Sequence, residues 1–228
     1  MKSLLTFFSF VIVLSSCKKE AIKYTTKDLP FSNFSKLDIT NNFEIQVTKA
    51  SNYSVQVTGK ENDIQALATS ISNGELKMGY PSTQTRERVL VKITMPSLLK
   101  FNFSTNSHFT INGFTETEAV EGKVSSNTEG FIQMNAPEFN IQLQNRADVI
   151  INGSADKIKS NVLDYSNLNT YGILAKWVEA IAINNSKIKT YTNTVLNASS
   201  SGSSIIYFKG NPGSKFLGEL DNSKIIEQ

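Results

Sequence analysis

One cysteine in 228 residues leaves no partner for an internal disulfide, and one cysteine with one histidine cannot assemble a tetrahedral zinc site of nitrogen and sulfur ligands. The single imidazole, His108, is also the only such base that a nucleophile could use. No G-x-S-x-G elbow, G-x-G-x-x-G turn or phosphate-cradling P-loop accompanies it. No nucleotide and no cofactor is therefore expected. Charge of one sign is scarce too: 23 Lys and Arg stand against 20 Asp and Glu, and the densest run, Arg86-Glu87-Arg88, alternates in sign. Nucleic acid as a partner would need a basic footprint that this chain does not supply. No apolar run reaches the roughly 20 residues that cross a bilayer as a helix.

What the chain has in abundance is short polar side chains, with Asn, Ser and Thr filling 69 of 228 positions. Such residues compete with helical backbone hydrogen bonds and favour turns and strand surfaces. An all-β fold is expected.

Lys2 is followed by the apolar stretch Leu4 to Leu14, broken only by Thr6 and Ser9, and then by Ser15-Ser16-Cys17. The length fits the hydrophobic region of a signal peptide, residues 1–16. Leu14-Ser15-Ser16-Cys17 resembles a bacterial lipobox, and the resemblance implies that Cys17 is the lipid-attachment residue and the first residue of the mature chain. Two or three acyl chains anchor stably where one is marginal. The expected partner is thus a membrane, reached without crossing it, and the expected location is the cell envelope of a bacterium, as an outer membrane lipoprotein. Residues 17–33, poor in apolar side chains, read as a tether.

Residues 34–228 read as one domain, with cap strands over 34–100 and repeated coils over 101–228. Leu37/Ile39, Phe43/Ile45/Val47, Val55/Val57, Leu76/Met78 and Val89/Val91/Ile93 alternate with polar residues, as half-buried strands do. Ile64, Leu67, Ala68 and Ile71 fall at helical spacing, which predicts one short helix over 62–71. From Phe101 onward Phe109, Phe131, Val149, Leu168, Ile188, Ile205 and Ile225 recur 17 to 22 residues apart. Two residues before each stands a residue that is Ser or Ala in six cases of seven, and four before stand Thr105, Asn127, Asn145, Asp164, Asn184, Ser201 and Asp221. A period near 20 with a small polar corner predicts a β-solenoid, or parallel β-helix-like domain. Its corner side chains would form a hydrogen-bonded ladder. An ordinary β-sandwich with Ser-rich turns is the other fold that such a pattern could adopt.

With these segments in order, Phe43-Glu44-Ile45-Gln46-Val47, Tyr53-Ser54-Val55-Gln56-Val57, Asn73-Gly74-Glu75-Leu76-Lys77-Met78, Val89 to Pro96 and the Ser-x-apolar coils, the chain resembles the putative auto-transporter adhesin, head GIN domain family. The resemblance implies a solenoid-like exported domain without an assigned catalytic role, and it transfers no functional residues. Ser-Gly pairs, expected in many coils, stand here only at Ser201-Gly202.

Chemistry is sparse under this register. Asp164 and Asp221 share a column three coils apart, about 14 Å by strand spacing, too far for the carboxyl pair of a glycosidase. His108 reads as a solvated strand residue and Trp177 as core or edge cover. Tyr171, Tyr191 and Phe208, each three residues past a repeat position, would stack as an exposed strip with Lys189 and Lys209 beside them. Flat aromatic faces grip sugar rings or a partner protein. The expectation is a non-catalytic, lipid-anchored envelope protein that presents a sheet face for adhesion, with a glycan or an envelope protein as partner. A carbohydrate-active enzyme and a self-associating structural spacer are the alternatives.

Overall fold

Alternating side chains commit each strand to one apolar face, which must be covered by another layer. A computed structural model, describing residues 23–82, 84 and 86–228, shows how the chain does this. The signal sequence and Cys17 lie outside the described residues. Each coil gives one strand to each of two sheets packed back to back. In the first sheet Lys100–Ser104, Val120–Ser125, Glu138–Gln144, Lys157–Leu163, residues 177–183, residues 195–200 and Ser214–Glu219 pair in parallel in that order. His108–Thr115, Glu129–Asn135, Asp148–Ser154, residues 167–175, residues 187–192, Ile205–Lys209 and Lys224–Glu227 do the same in the second. The expected β-solenoid is therefore the fold, with seven coils in its repetitive half.

Parallel pairing continues upstream. Lys36–Thr40 with Phe43–Lys49 forms a coil directly above Lys100, and Glu75–Gly79 with Val89–Met95 forms the one beyond it. The later pair is the outer one, so the chain returns past its own first coil before the repeats begin. The outer end is closed by antiparallel strands. Ser54–Lys60 lies on Val89–Met95, Tyr24–Leu29 lies on Ser54–Lys60, and Ala68–Ser72 forms a hairpin with Glu75–Gly79. Residues 24–29, part of the segment read as tether, are thus an edge strand. The helix is shorter than its spacing predicts, Glu61–Gln65. Asn73 and Gly74, both at positive φ, form the tight turn that draws Ala68–Ser72 into the hairpin instead.

The corners explain the repeat. Two consecutive residues in each are left-handed: Thr105/Asn106, Ser126/Asn127, Asn145/Arg146, Asp164/Tyr165, Asn184/Asn185, Gly202/Ser203 and Asp221/Asn222. Asn and Asp tolerate this backbone better than other side chains, which is why they dominate. Main-chain bonds carry most of the expected ladder: Asn106 N donates to Ser126 O at 2.9 Å, Arg146 N to Asp164 O at 2.9 Å and Asn185 N to Gly202 O at 2.7 Å. Asn184 Nδ2 adds a side-chain bond to Asp164 Oδ1 at 2.9 Å. The next residue in each coil is small and buried: Ser107, Thr128, Ala147, Ser166, Ser186, Ser204 and Ser223. At the serine corners the hydroxyl satisfies backbone, as when Ser204 Oγ accepts from Ser186 N at 3.0 Å.

Two coils are one residue out of the register read from sequence. Gly130, not Phe131, stands between Phe109 and Val149, and Ile206, not Ile205, stands between Ile188 and Ile225. The cause at Gly130 is volume. The Phe109 ring fills the inward position of the next coil, and a Cβ at Gly130 would overlap it; Gly122 makes the same room for Phe101 in the other sheet. Phe101, Phe103 and Phe109 pack as a tilted cluster with centroids 4.9–6.0 Å apart.

The far end is handled with charge. In the last first-sheet strand Lys215 and Glu219 occupy core-facing positions, opposite Leu196 and Ser200. The Lys215 ammonium lies 5.3 Å over the Phe208 ring and 2.9 Å from Glu227, while Glu219 accepts from Ile225 N. Inward charges on a terminal strand discourage further stacking. The apolar terminal coil that end-to-end growth would need is interrupted here.

Candidate functional site

The outer face of the second sheet places its side chains in columns, because parallel register puts equivalent residues about 4.8 Å apart in successive coils. At the C-terminal half this collects an aromatic and cationic cluster. Tyr171 sits in a bulge between Asn169 and Leu174, held by its own N–H to Asn169 Oδ1 at 3.1 Å. Its ring lies 4.4 Å from the Lys209 ammonium and 5.9 Å from that of Lys189, and its hydroxyl donates to Gln228 Oε1 at 2.8 Å. Tyr191 is the register partner of Lys209. Partial burial raises the Tyr171 phenol above the ordinary tyrosine range, with Tyr207 adding to the shift. The phenol therefore stays a neutral hydrogen-bond donor.

Four of the five residues expected on this strip are brought together: Tyr171, Tyr191, Lys189 and Lys209. Phe208 is not among them. It is a core residue, 2% exposed, and Tyr207 takes the outward place beside Lys189. The error is the one-residue slip at Ile205 carried forward. A two-residue period applied to Ile206 and Phe208 as the inward pair would have found Tyr207.

The N-terminal half of the same face is acidic. Glu44, His108, Glu129 and Asp148 form one column. His108 is outward and half-exposed, as expected, with Glu44 Oε2 at 3.8 Å from Nδ1 and Glu129 Oε2 at 3.7 Å from Nε2. The Arg88 guanidinium lies 2.7 Å from Nδ1. Phe131 and Ile150, 37% and 39% exposed, form the apolar column alongside. The adjacency of Glu129 and Asp148 was hidden by the slip at Phe131. Both carboxylates leave the same open face, and the Glu129 side chain is 68% exposed. A general acid requires a carboxyl desolvated enough to hold its proton near neutral pH.

Trp177 is neither core nor edge cover. It is 43% exposed on the outer face of the first sheet, where the Lys157 ammonium lies 5.6 Å over its ring. Its neighbours in register, Lys157 and Val195, give that face a second, smaller aromatic and cationic contact.

A family model described as "Putative auto-transporter adhesin, head GIN domain" matches residues 33–212. Among solved structures, a "putative adhesin" from Bacteroides fragilis is similar with a TM-score of 0.85 at 19% identity, covering 91% of this chain and 98% of that one. A "putative lipid binding protein" from Parabacteroides distasonis has a TM-score of 0.69 at 18% identity, over 90% of this chain and 96% of that one. A "putative adhesin" from Parabacteroides merdae has a TM-score of 0.69 at 14% identity, over 90% and 96% respectively. At these identities the likeness is one of fold. No curated protein matches the chain.

Proposed function

The chain belongs to the head GIN domain family of putative auto-transporter adhesins, and on that premise we propose that it is a non-catalytic envelope protein, held to a bacterial membrane by lipid on Cys17, that makes contact through the outer face of its second sheet. The family's description, "Putative auto-transporter adhesin", supports an adhesion role at a bacterial envelope. The observation that carries the reading for this chain is the cluster around Tyr171. Two lysines and three tyrosines from three coils converge on a sheet surface, where a rigid aromatic face and ammonium donors suit a glycan or an envelope protein. The bulge at Tyr171 gives the cluster an irregular backbone, and bulges re-aim side chains next to functional sites.

A carbohydrate-active reading has one observation in its favour, the adjacency of Glu129 and Asp148. Adjacent carboxyls on an open strand surface do not flank a bond as a glycosidase pair must. The contact reading draws on five side chains and a bulge, and the catalytic one on this pair alone.

The test is binding of the protein to a glycan array and to isolated envelope, wild type against the Tyr171→Ala/Tyr191→Ala double variant. Loss of about 1–3 kcal/mol per aromatic anchor, tenfold or more in affinity, is expected. Equal signals from both proteins would remove the Tyr171 cluster as the contact site.

A further inference from the structure

Because Tyr24–Leu29 is a strand, only six steps of chain separate Cys17 from Lys23, where the described fold begins. At about 3.5 Å per residue they reach at most about 21 Å, whatever path they take. Tyr24–Leu29 is also the outermost strand of the second sheet, and among the described residues it is paired on one side only, by Ser54–Lys60. With the helix Glu61–Gln65 and the hairpin strand Ala68–Ser72 it makes up the cap end, opposite Lys224–Glu227. Ten strand pairings separate the two ends, a span of about 48 Å.

Charge divides along the same axis. Residues 23–104 carry ten Lys and Arg against seven Asp and Glu, whereas residues 105–228 carry ten against twelve. The excess at the cap is not cancelled locally. Among the described residues Lys27, Lys36, Lys49 and Lys92 have no carboxylate within 4.0 Å, and of the cap's acids only Asp28 lacks a cation that near. All four lysines lie within three strand spacings of the end, about 14 Å.

We propose that the protein stands on its cap: the cap end rests on an anionic phospholipid surface and the solenoid axis rises away from it. Lysines near such a surface are attracted to it, and the attraction fades within a Debye length of about 8–10 Å, so it acts on the cap and not on the coils. A solenoid lying on its second sheet would press the Glu44, Glu129 and Asp148 column against the same headgroups. The outer face of the first sheet intersperses its lysines with Glu121, Glu138 and Glu179 and offers no comparable excess. Standing upright, the protein holds Tyr171 seven strand spacings from its membrane end and Tyr207 nine, about 34 and 43 Å, clear of the headgroups. The inference rests on the preceding reading for the lipid on Cys17, and adds which end faces the bilayer and what that end touches.

Energy transfer from single labels to acceptor-labelled headgroups tests it on the full chain, purified from bacterial membranes and reconstituted into vesicles of phosphatidylethanolamine and phosphatidylglycerol. Lipid occupies the one native cysteine, so Asn62→Cys, Glu121→Cys and Lys224→Cys each supply a single labelling site at an exposed position. Transfer is expected to be at least about fivefold faster from Asn62→Cys than from Lys224→Cys, some 48 Å higher, with Glu121→Cys between them. Replacing phosphatidylglycerol by phosphatidylcholine should draw the three rates together. Equal transfer from the three sites on an acylated chain, or the fastest from Lys224→Cys, overturns the orientation; a gradient that persists undiminished without phosphatidylglycerol overturns the lysine contact. A chain whose mass shows no acyl groups on Cys17 overturns the anchor reading itself, and the orientation with it.

Discussion

Gly130→Val is expected to destabilise the solenoid by about 3 kcal/mol, a large fraction of the 5–15 kcal/mol typical of a folded domain. The position faces inward between Phe109 and Val149, and the Phe109 ring occupies the space that any Cβ would need. Phe109 cannot withdraw, because its ring is packed against Phe101 and Phe103 at 6.0 and 4.9 Å. The register cannot slip to relieve the clash either: a one-residue shift would bring Phe131 inward and turn Ile132 and Met134, both buried, to solvent. Phe109→Val alone leaves a cavity and is expected to cost about 2–3 kcal/mol. In the double variant the two volumes complement each other as Val149 and Leu168 do two coils on. Urea unfolding of all four proteins should therefore show a coupling energy of at least about 1 kcal/mol in the rescuing direction. Additive effects would mean that the two residues do not share one site.

Asp63→Ala is expected to cost about 3 kcal/mol, through the cap rather than the coils. Asp63 on the short helix meets Arg86 at 2.8 Å, and both side chains are nearly nine-tenths buried. The guanidinium also lies 4.6 Å over the Tyr80 ring, which stacks on Phe43 in the core. The desolvation cost of this ion is offset only while its partner is present, so removing one charge leaves the other buried alone. Asp63→Leu/Arg86→Met, which removes both, should recover much of the loss. Hydrogen exchange in Asp63→Ala should rise first in Ser54–Lys60, a strand of the cap, and in Val89–Met95, which it covers, and last in the middle coils.

How much of this was legible in the sequence follows from what each signal measures. Alternation gave the strands and the corner column gave the solenoid, because left-handed backbone selects Asn and Asp and a buried turn selects Ser. Steric partnership between coils is not visible in a single strand. Gly130 is inward because Phe109 is large, and only the register of two coils together reveals it; a position filled by glycine carries no hydrophobic signal. The misplacement of Phe208 and the unseen acidic column both descend from such one-residue slips. The spacing overstates the helix because Ile71 packs against the core from the strand Ala68–Ser72, and Leu67 from the connection before it, as they would from a helix. The cap's order, with the later coil outermost, has no local signature, since a strand's neighbours two segments away leave no mark on its own pattern.

The contact face can be tested without knowing the ligand. Hydroxyl-radical footprinting of the chain on intact cells, compared with the purified chain from Lys18 onward, reads Tyr171, Tyr191 and Tyr207 on the second sheet against Trp177 on the first. The account expects the three tyrosines to be oxidised several-fold more slowly on cells while Trp177 is unchanged. Protection of Trp177 with the tyrosines left reactive would contradict it.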